Sequence, residues 1–185
     1  METVSTIGHS NRTIEEFVAL LQQNAIACLL DIRTVPKSRH NPQFGQAQLP
    51  ASLAAAGIEY RYLAGLGGLR RPRPDSPNGG WRNTSFRGYA DYMQTDEFAR
   101  NVDTVVALAE DRRCALMCAE AVPWRCHRSL VADALVVRGI PVEEIIGPQK
   151  PRPHKLTAFA KVDGERITYP SDTQLQQEAQ GSLGF

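Results

Sequence analysis

No run of about 18 apolar residues occurs in this 185-residue chain, so nothing in it predicts a membrane-spanning helix. The opening Met1-Glu2-Thr3-Val4-Ser5 lacks the basic start and long apolar core of an export signal, and the expected compartment is the cytoplasm. Cysteine is scarce. Cys28, Cys114, Cys118 and Cys126 are too few for a disulfide scaffold, and in a reducing compartment they stand as core residues, metal ligands or nucleophiles. Ligand pairs of the Cys-x2-Cys kind are missing too, because Cys114 and Cys118 are more widely spaced and Cys126 adjoins His127, so no metal ligand set is assigned. A large net charge is also absent, at +1, but it hides an asymmetry. Residues 33–87 hold nine Lys or Arg (Arg33, Lys37, Arg39, Arg61, Arg70, Arg71, Arg73, Arg82, Arg87) against Glu59 and Asp75, which leaves +7 there and −6 over the rest. A basic segment on a near-neutral chain predicts an anionic partner, although each arginine alone reads as a solvated loop charge.

What is present is an alternation of strand and helix patterns. Residues 4–8 are a short β-rich run, and Thr13-Ile14-Glu15-Glu16 fits a capping box ahead of the apolar positions Phe17, Leu20 and Leu21. Residues 27–32 read as a buried strand, 46–56 as a helix ending at Gly57, and 58–63 as a third strand. A loop rich in Gly, Pro and Arg follows over 64–88, longer than a simple connection needs. The helical pattern resumes there and is recapped at Thr95-Asp96-Glu97, with Phe98, Val102, Val105, Val106 and Ala109 as its apolar stripe. Residues 114–118 form a fourth buried strand, 128–138 a helix closed by Gly139 and Pro141, and 142–146 a fifth strand. Beyond them, 158–162 and 165–169 flank Asp163-Gly164 as a hairpin with a two-residue turn, and the last dozen residues read as disordered. The fold class is α/β: a three-layer, Rossmann-like, mainly parallel sheet of about five strands with helices on both faces, plus a C-terminal β-hairpin tail. Residues 1–150 make one domain and 151–185 a tail whose hairpin spans 158–170; the strand order is expected to be 3-2-1-4-5.

In such sheets ligands bind beyond the carboxyl ends of the strands, where the strand order reverses. The loops there are Gly8-His9-Ser10-Asn11-Arg12, 33–44, 65–87 and 119–128, and they hold most of the reactive residues. Strand order 3-2-1-4-5 makes the first and fourth loops neighbours and turns His9 toward the loop after Cys118. The helix beginning near Cys126 has no Ser, Thr or Asp cap, so its first amides, together with Arg125 and Arg128, can receive an anion. The same field lowers the pKa of a cysteine facing the loop, and both Cys118 and Cys126 are placed for it. A cysteine phosphatase cradle does not fit: position 124 is Trp where that cradle has its arginine, Arg125 comes one residue late, and Glu120 and Pro123 interrupt the loop. Glu120 reads equally as a proton-transfer group with a raised pKa or as an ion-pair partner of Arg125 or Arg128. Phe44, Trp81, Phe86, Tyr89 and Trp124 are expected around the same rim. There they could stack on nucleotide bases, or simply pack the long loop onto the sheet.

Thr6-Ile7-Gly8-His9-Ser10, Asp31-Ile32-Arg33, Pro36-Lys37-Ser38-Arg39 with Asn41-Pro42-Gln43-Phe44, Gly79-Gly80-Trp81-Arg82-Asn83, and Cys118-Ala119-Glu120 with Cys126-His127-Arg128 form a combination of motifs. On these, residues 4 to about 160 resemble the bacterial family called Domain of Unknown Function 488. The resemblance implies the fold and a pocket lined by His9, Ser10, Asp31, Arg33, Ser38, Asn41, Glu120, Cys126, His127 and Arg128, and supplies no reaction. Three functions compete. The first is an enzyme on an anionic nucleotide-like or nucleic-acid substrate. In it Arg33, Arg125 and Arg128 hold the anion, Glu120 with His9 or His127 moves protons, Cys126 or Cys118 is the nucleophile, Asp31 orients a base or a sugar hydroxyl, and Ser10, Ser38, Asn41 and Trp81 complete the substrate site. The others are a non-catalytic nucleotide or nucleic-acid binding module and a metal-binding or redox protein. The partner is an anionic small molecule or nucleic acid and not a membrane; no cofactor and no oligomeric state follow from these residues.

Overall fold

Strands that are apolar on both faces must be covered on both, and the helices of this chain do so from two sides. In the computed structural model, which describes residues 3–182, the main elements are β1 (Val4–Gly8), α1 (Ile14–Gln23), β2 (Cys28–Asp31), α2 (Leu49–Ala55), β3 (Glu59–Tyr62), α3 (Thr84–Tyr92), α4 (Asp96–Asp111), β4 (Cys114–Cys118), α5 (Arg128–Val137), β5 (Val142–Ile145), β6 (Arg152–Pro153), β7 (Lys161–Asp163), β8 (Arg166–Thr168) and α6 (Asp172–Ser182). Phe17, Leu20 and Leu21 of α1 and Leu49 and Leu53 of α2 pack with Ile7, Leu29, Ala115 and Met117 on one face of the sheet. Residues of α3, α4 and α5, among them Tyr89, Val102, Val105 and Leu130, pack with Val4, Leu30, Cys114 and Leu116 on the other. The capping box of α1 is formed in both directions: Glu16 N–H donates to Thr13 Oγ1 at 3.1 Å and Thr13 N–H to the Glu16 carboxylate at 2.9 Å. Helix α2 starts at Leu49, not at residue 46, because Pro50 belongs in a first turn, where its missing N–H leaves no bond unmade.

The sheet has six strands in the order β3-β2-β4-β1-β5-β6, parallel throughout except for β6, which runs antiparallel to β5. This corrects the expected order 3-2-1-4-5: β4 lies between β2 and β1. Burial patterns do not distinguish the two arrangements, since β1, β2 and β4 are each buried along their whole length and suit any central position. The reversal point therefore falls between β2, whose chain leaves toward β3, and β4, whose chain leaves toward β5.

The long loop before α3 is held by one carboxylate. Asp91 accepts from Arg73 N–H at 2.7 Å, Ser76 Oγ at 2.6 Å and Asn78 Nδ2 at 2.7 Å, and Asn78 Oδ1 in turn accepts from Tyr169 N–H at 2.8 Å. The tail is thus part of the core rather than an appendage: Ile167 and Tyr169 are buried, and Tyr169 donates its hydroxyl to Asp133 at 2.8 Å. In the hairpin Asp163 pairs with Arg166, so the two turn residues are Gly164 and Glu165, one position beyond the expected pair. Gly164 has φ +60°, which suits glycine at the first central position of such a turn. Residues 172–182, most of them expected to lack order, form α6, where Gln174 N–H donates to Ser171 Oγ at 3.3 Å; residues 183–185 lie outside the described residues. No described helix is long and apolar enough to cross a membrane.

His154 fastens the tail to the domain. Its Nε2 lies 2.7 Å from Asp133 and its Nδ1 2.8 Å from Glu144, so both ring nitrogens donate and the ring is an imidazolium. Burial works against that charge, but Asp133 and Glu144 outweigh it and raise the pKa to about 9. The folded-state pKa lies above the unfolded value of about 6.5, so the stabilisation is complete below pH 6.5 and is lost as the pH rises through 9. Urea unfolding is expected to lose roughly 1–2 kcal/mol between pH 6.5 and 9.5, discounted for partial solvation, and His154→Gln to remove most of that slope. An unchanged slope in the variant would assign the loss to other groups.

Candidate active site

The loops that leave β2 and β4 in opposite directions enclose a cleft of about 430 Å³, bordered by Arg33, Val35, Lys37, Leu69, Phe86, Glu120 and Arg125, with Cys118, Cys126 and His127 also facing it. Cys118 ends β4, opposite Gly8 of β1. The backbones continue side by side, with His9 N–H donating to the Cys118 carbonyl and Ser10 N–H to the Ala119 carbonyl, both at 3.0 Å. The neighbourhood expected of the first and fourth loops is therefore present even though the strand order differs.

Beneath this junction lies Arg128, the first residue of α5, fully buried. Its Nη1 donates to Cys118 Sγ at 2.7 Å and to the Glu120 carbonyl at 2.7 Å, and its Nη2 to the Ala121 carbonyl at 3.2 Å. Nε is buried with no partner, and among the described residues no carboxylate pairs with this guanidinium. Gly8 makes the arrangement possible: a Cβ there would lie 1.7 Å from the Glu120 carbonyl oxygen and 2.8 Å from Arg128 Nη1. Any larger residue would push the 119–121 loop off the end of the strand.

The two cysteines titrate in opposite directions. Burial pushes the Cys118 thiol up, but the hydrogen bond from the Cys126 thiol and the Arg128 charge outweigh it and leave the pKa below its ordinary value. Cys118 beside it, and then burial, hold Cys126 well above that value. Of the two thiols, Cys118 is the more acidic. His127 caps α5 without a side-chain cap bond; its Nε2 donates to the Ile32 carbonyl at 2.9 Å, which leaves Nδ1 as an acceptor 3.6 Å from Cys126 Sγ. Burial lowers the His127 pKa to about 4 and the ring is neutral.

A second cluster keeps several expected site residues out of the cleft. Asp31 is fully buried and takes Arg33 Nε at 2.9 Å, Arg33 Nη2 at 2.6 Å and the Tyr60 hydroxyl at 2.7 Å. Arg33 spends a further hydrogen on the Phe44 carbonyl at 2.8 Å, so although it borders the cleft its charge is already neutralised. His9 stacks on Phe44 with centroids 4.4 Å apart, its Nδ1 donating to the Ser10 carbonyl at 2.7 Å and its Nε2 lying 3.4 Å from Arg33 Nη1. Burial lowers its pKa to about 4, and it packs as a neutral ring against Phe44. Ser10 adopts φ +51° where the chain turns over Ala119. Ser38 accepts from Asn41 N–H at 3.0 Å in a shallow neighbouring depression, and Asn41 precedes a 3-10 turn over Pro42–Phe44.

Trp81 packs the long loop against Phe86 at 4.9 Å and Tyr169 at 5.5 Å, and Phe44 and Tyr89 are fully buried, so neither belongs to the rim. Glu120 and Arg125 are exposed beside the cleft, and among the described residues Glu120 forms no ion pair with Arg125 or Arg128. The basic excess of 33–87 divides among local partners: Arg61 with Glu59, Arg73 with Asp75, Arg70 over the Tyr92 ring at 3.5 Å, and Arg87 on the Trp81 carbonyl. Of that segment Lys37 is the other cation bordering the cleft. Val35, Leu69 and Gly68 went unanticipated as wall residues. Gly68 carried a usable signal as half of a Gly-Gly pair: a Cβ there would lie 2.4 Å from His127 Nδ1.

The model of the family described as domain of unknown function DUF488 matches residues 13–135, which is 123 of the 185 residues. The chain belongs to this family. The DUF488 match takes in β2, β4, the cleft loops and most of α5, while Gly8 before it and His154 after it complete the structure from outside. No curated protein and no solved structure matches the chain.

The Arg128 geometry has a direct consequence. Arg128→Leu is expected to raise the pKa of the Cys118 thiol by about one unit or more, which lowers its alkylation rate at pH 7 about tenfold. Gly8→Ala is expected to move it the same way by displacing the loop. A pH profile of alkylation that is the same in both variants as in the unaltered protein would sink the assignment.

Proposed function

We propose that the protein is an enzyme whose Cys118 thiolate attacks an anionic substrate of about nucleotide size held in the cleft. The observation that carries this reading is the buried Arg128 guanidinium, which among the described residues meets the Cys118 sulfur and no carboxylate. A charge taken out of water without a carboxylate is tolerated when an anion meets it, and a thiolate at the floor of a cleft is both that anion and a nucleophile. Lys37 and Arg125 at the rim supply the free positive charge that attracts the substrate, in the place first expected of Arg33. Glu120, exposed at the same rim, is positioned to exchange a proton with the leaving group. An adjoining groove with Trp124, 59% exposed, and Phe86 offers aromatic surface for a base or another flat group.

A cleft of about 430 Å³ suits a single small ligand and favours a mononucleotide-sized anion over a strand of nucleic acid. Engagement of Arg33, Arg61, Arg70, Arg73 and Arg87 by local partners points the same way, against a non-catalytic module that grips a phosphate backbone.

Alkylation of Cys118 with and without anions tests the reading. A nucleoside diphosphate or inorganic pyrophosphate at saturating concentration is expected to slow it at least tenfold, and Cys118→Ser to keep ligand binding while losing turnover. Absence of protection by any anion, or tight single-stranded DNA binding that weakens steeply with salt, would replace the enzyme with a binding module.

A further inference from the structure

A nucleophile alone leaves Cys126 without a task. It lies between the 3-10 turn Pro123–Arg125 and α5, and faces the same cleft as Cys118. Two features equip it. It borders the same cleft as Cys118, whose thiol it makes more acidic, and His127 Nδ1 is 3.6 Å away with a free lone pair. The other cysteine pair differs: Cys28 and Cys114 sit opposite each other in the β2–β4 register, fully buried at the far end of the same strands.

Resting on the Cys118 nucleophile reading, we infer that Cys118 and Cys126 form a reactive dithiol, and that the substrate is an anionic disulfide which the protein reduces by closing a Cys118–Cys126 bond. Cys118 thiolate attacks one sulfur of the substrate; a Cys118–substrate disulfide forms, the substrate S–S bond breaks, and the first product leaves as a thiolate. Bonded Cys118 carries no charge, so the repulsion that holds the Cys126 proton vanishes while the attraction of Arg128 and the α5 N-terminus remains. Cys126 then gives its proton to His127 Nδ1 or to water and attacks the Cys118 sulfur, releasing the second product thiolate. Two electrons pass from the dithiol to the substrate S–S bond, and an external dithiol regenerates the reduced protein. A second thiol beside the first in the cleft has no task in hydrolysis, whereas in disulfide exchange it releases the bound product.

Glutathione disulfide, an anionic disulfide, is the probe, and peptide mapping of the full chain by mass spectrometry is the readout. The unaltered protein is expected to lose two thiols, gain a Cys118–Cys126 cross-link and retain no glutathione. Cys126→Ser is expected to trap one glutathionyl group on Cys118, and Cys118→Ser to react at least tenfold more slowly. Glutathione retained on Cys118 without a cross-link overturns the dithiol inference and leaves the nucleophile standing. Oxidation of Cys28 and Cys114 as fast as that of Cys118 overturns both. The mapping of the unaltered protein decides these points even if a variant fails to fold.

Discussion

The end of the sheet is organised around a guanidinium that has no exposed surface and, among the described residues, no carboxylate partner. Arg128 receives instead two inward-turned carbonyls and the sulfur of Cys118, and each of these demands something of the chain around it. The carbonyls of Glu120 and Ala121 face inward because the loop folds tightly over β1, and the loop can fold there because position 8 has no side chain. The sulfur lies in reach because β4 pairs directly with β1 and ends at the same level. An uncompensated buried charge costs several kcal/mol, so the geometry holds together as a unit.

Arg33, one strand away, shows the alternative solution. It is nearly as buried, but Asp31 and the Phe44 carbonyl satisfy it and His9 lies alongside. Two buried arginines at this end of the sheet are thus satisfied in different ways, one by a carboxylate and one by carbonyls and a thiol sulfur. The first pairing is inert and supports the cleft wall. The second lowers the pKa of a thiol that borders the cleft, which is why the proposed chemistry is assigned to Cys118.

Carboxylates serve as fasteners elsewhere. Asp91 collects the long loop before α3, and Asp133 collects His154 and Tyr169 from the C-terminal segment. Each lies on a helix that packs against the sheet, so the loop and the tail are tied to the most rigid part of the molecule. The cleft wall formed by Phe86 rests on this, since Trp81 stacks between Phe86 and Tyr169.

The local features were legible because they depend on neighbours a few residues apart. The capping box at Thr13, the strand at Cys114–Cys118, the helix from Arg128 and the loop bearing Cys118 and Cys126 all follow from residue type and spacing. Strand order was not legible, because β1, β2 and β4 are each buried along their whole length and suit any central position. Nor was the sorting of charged and aromatic residues into site and scaffold. His9, Asp31 and Arg33 lie at the same end of the sheet as the thiols, yet they turn toward each other, because a buried ion pair satisfies itself before any ligand arrives. The loop from Cys118 to Arg128 was marked by the sequence alone; that Arg128 lies buried against the Cys118 sulfur and that both cysteines border one cleft was decided only when β4 paired with β1 and β2 in the folded sheet.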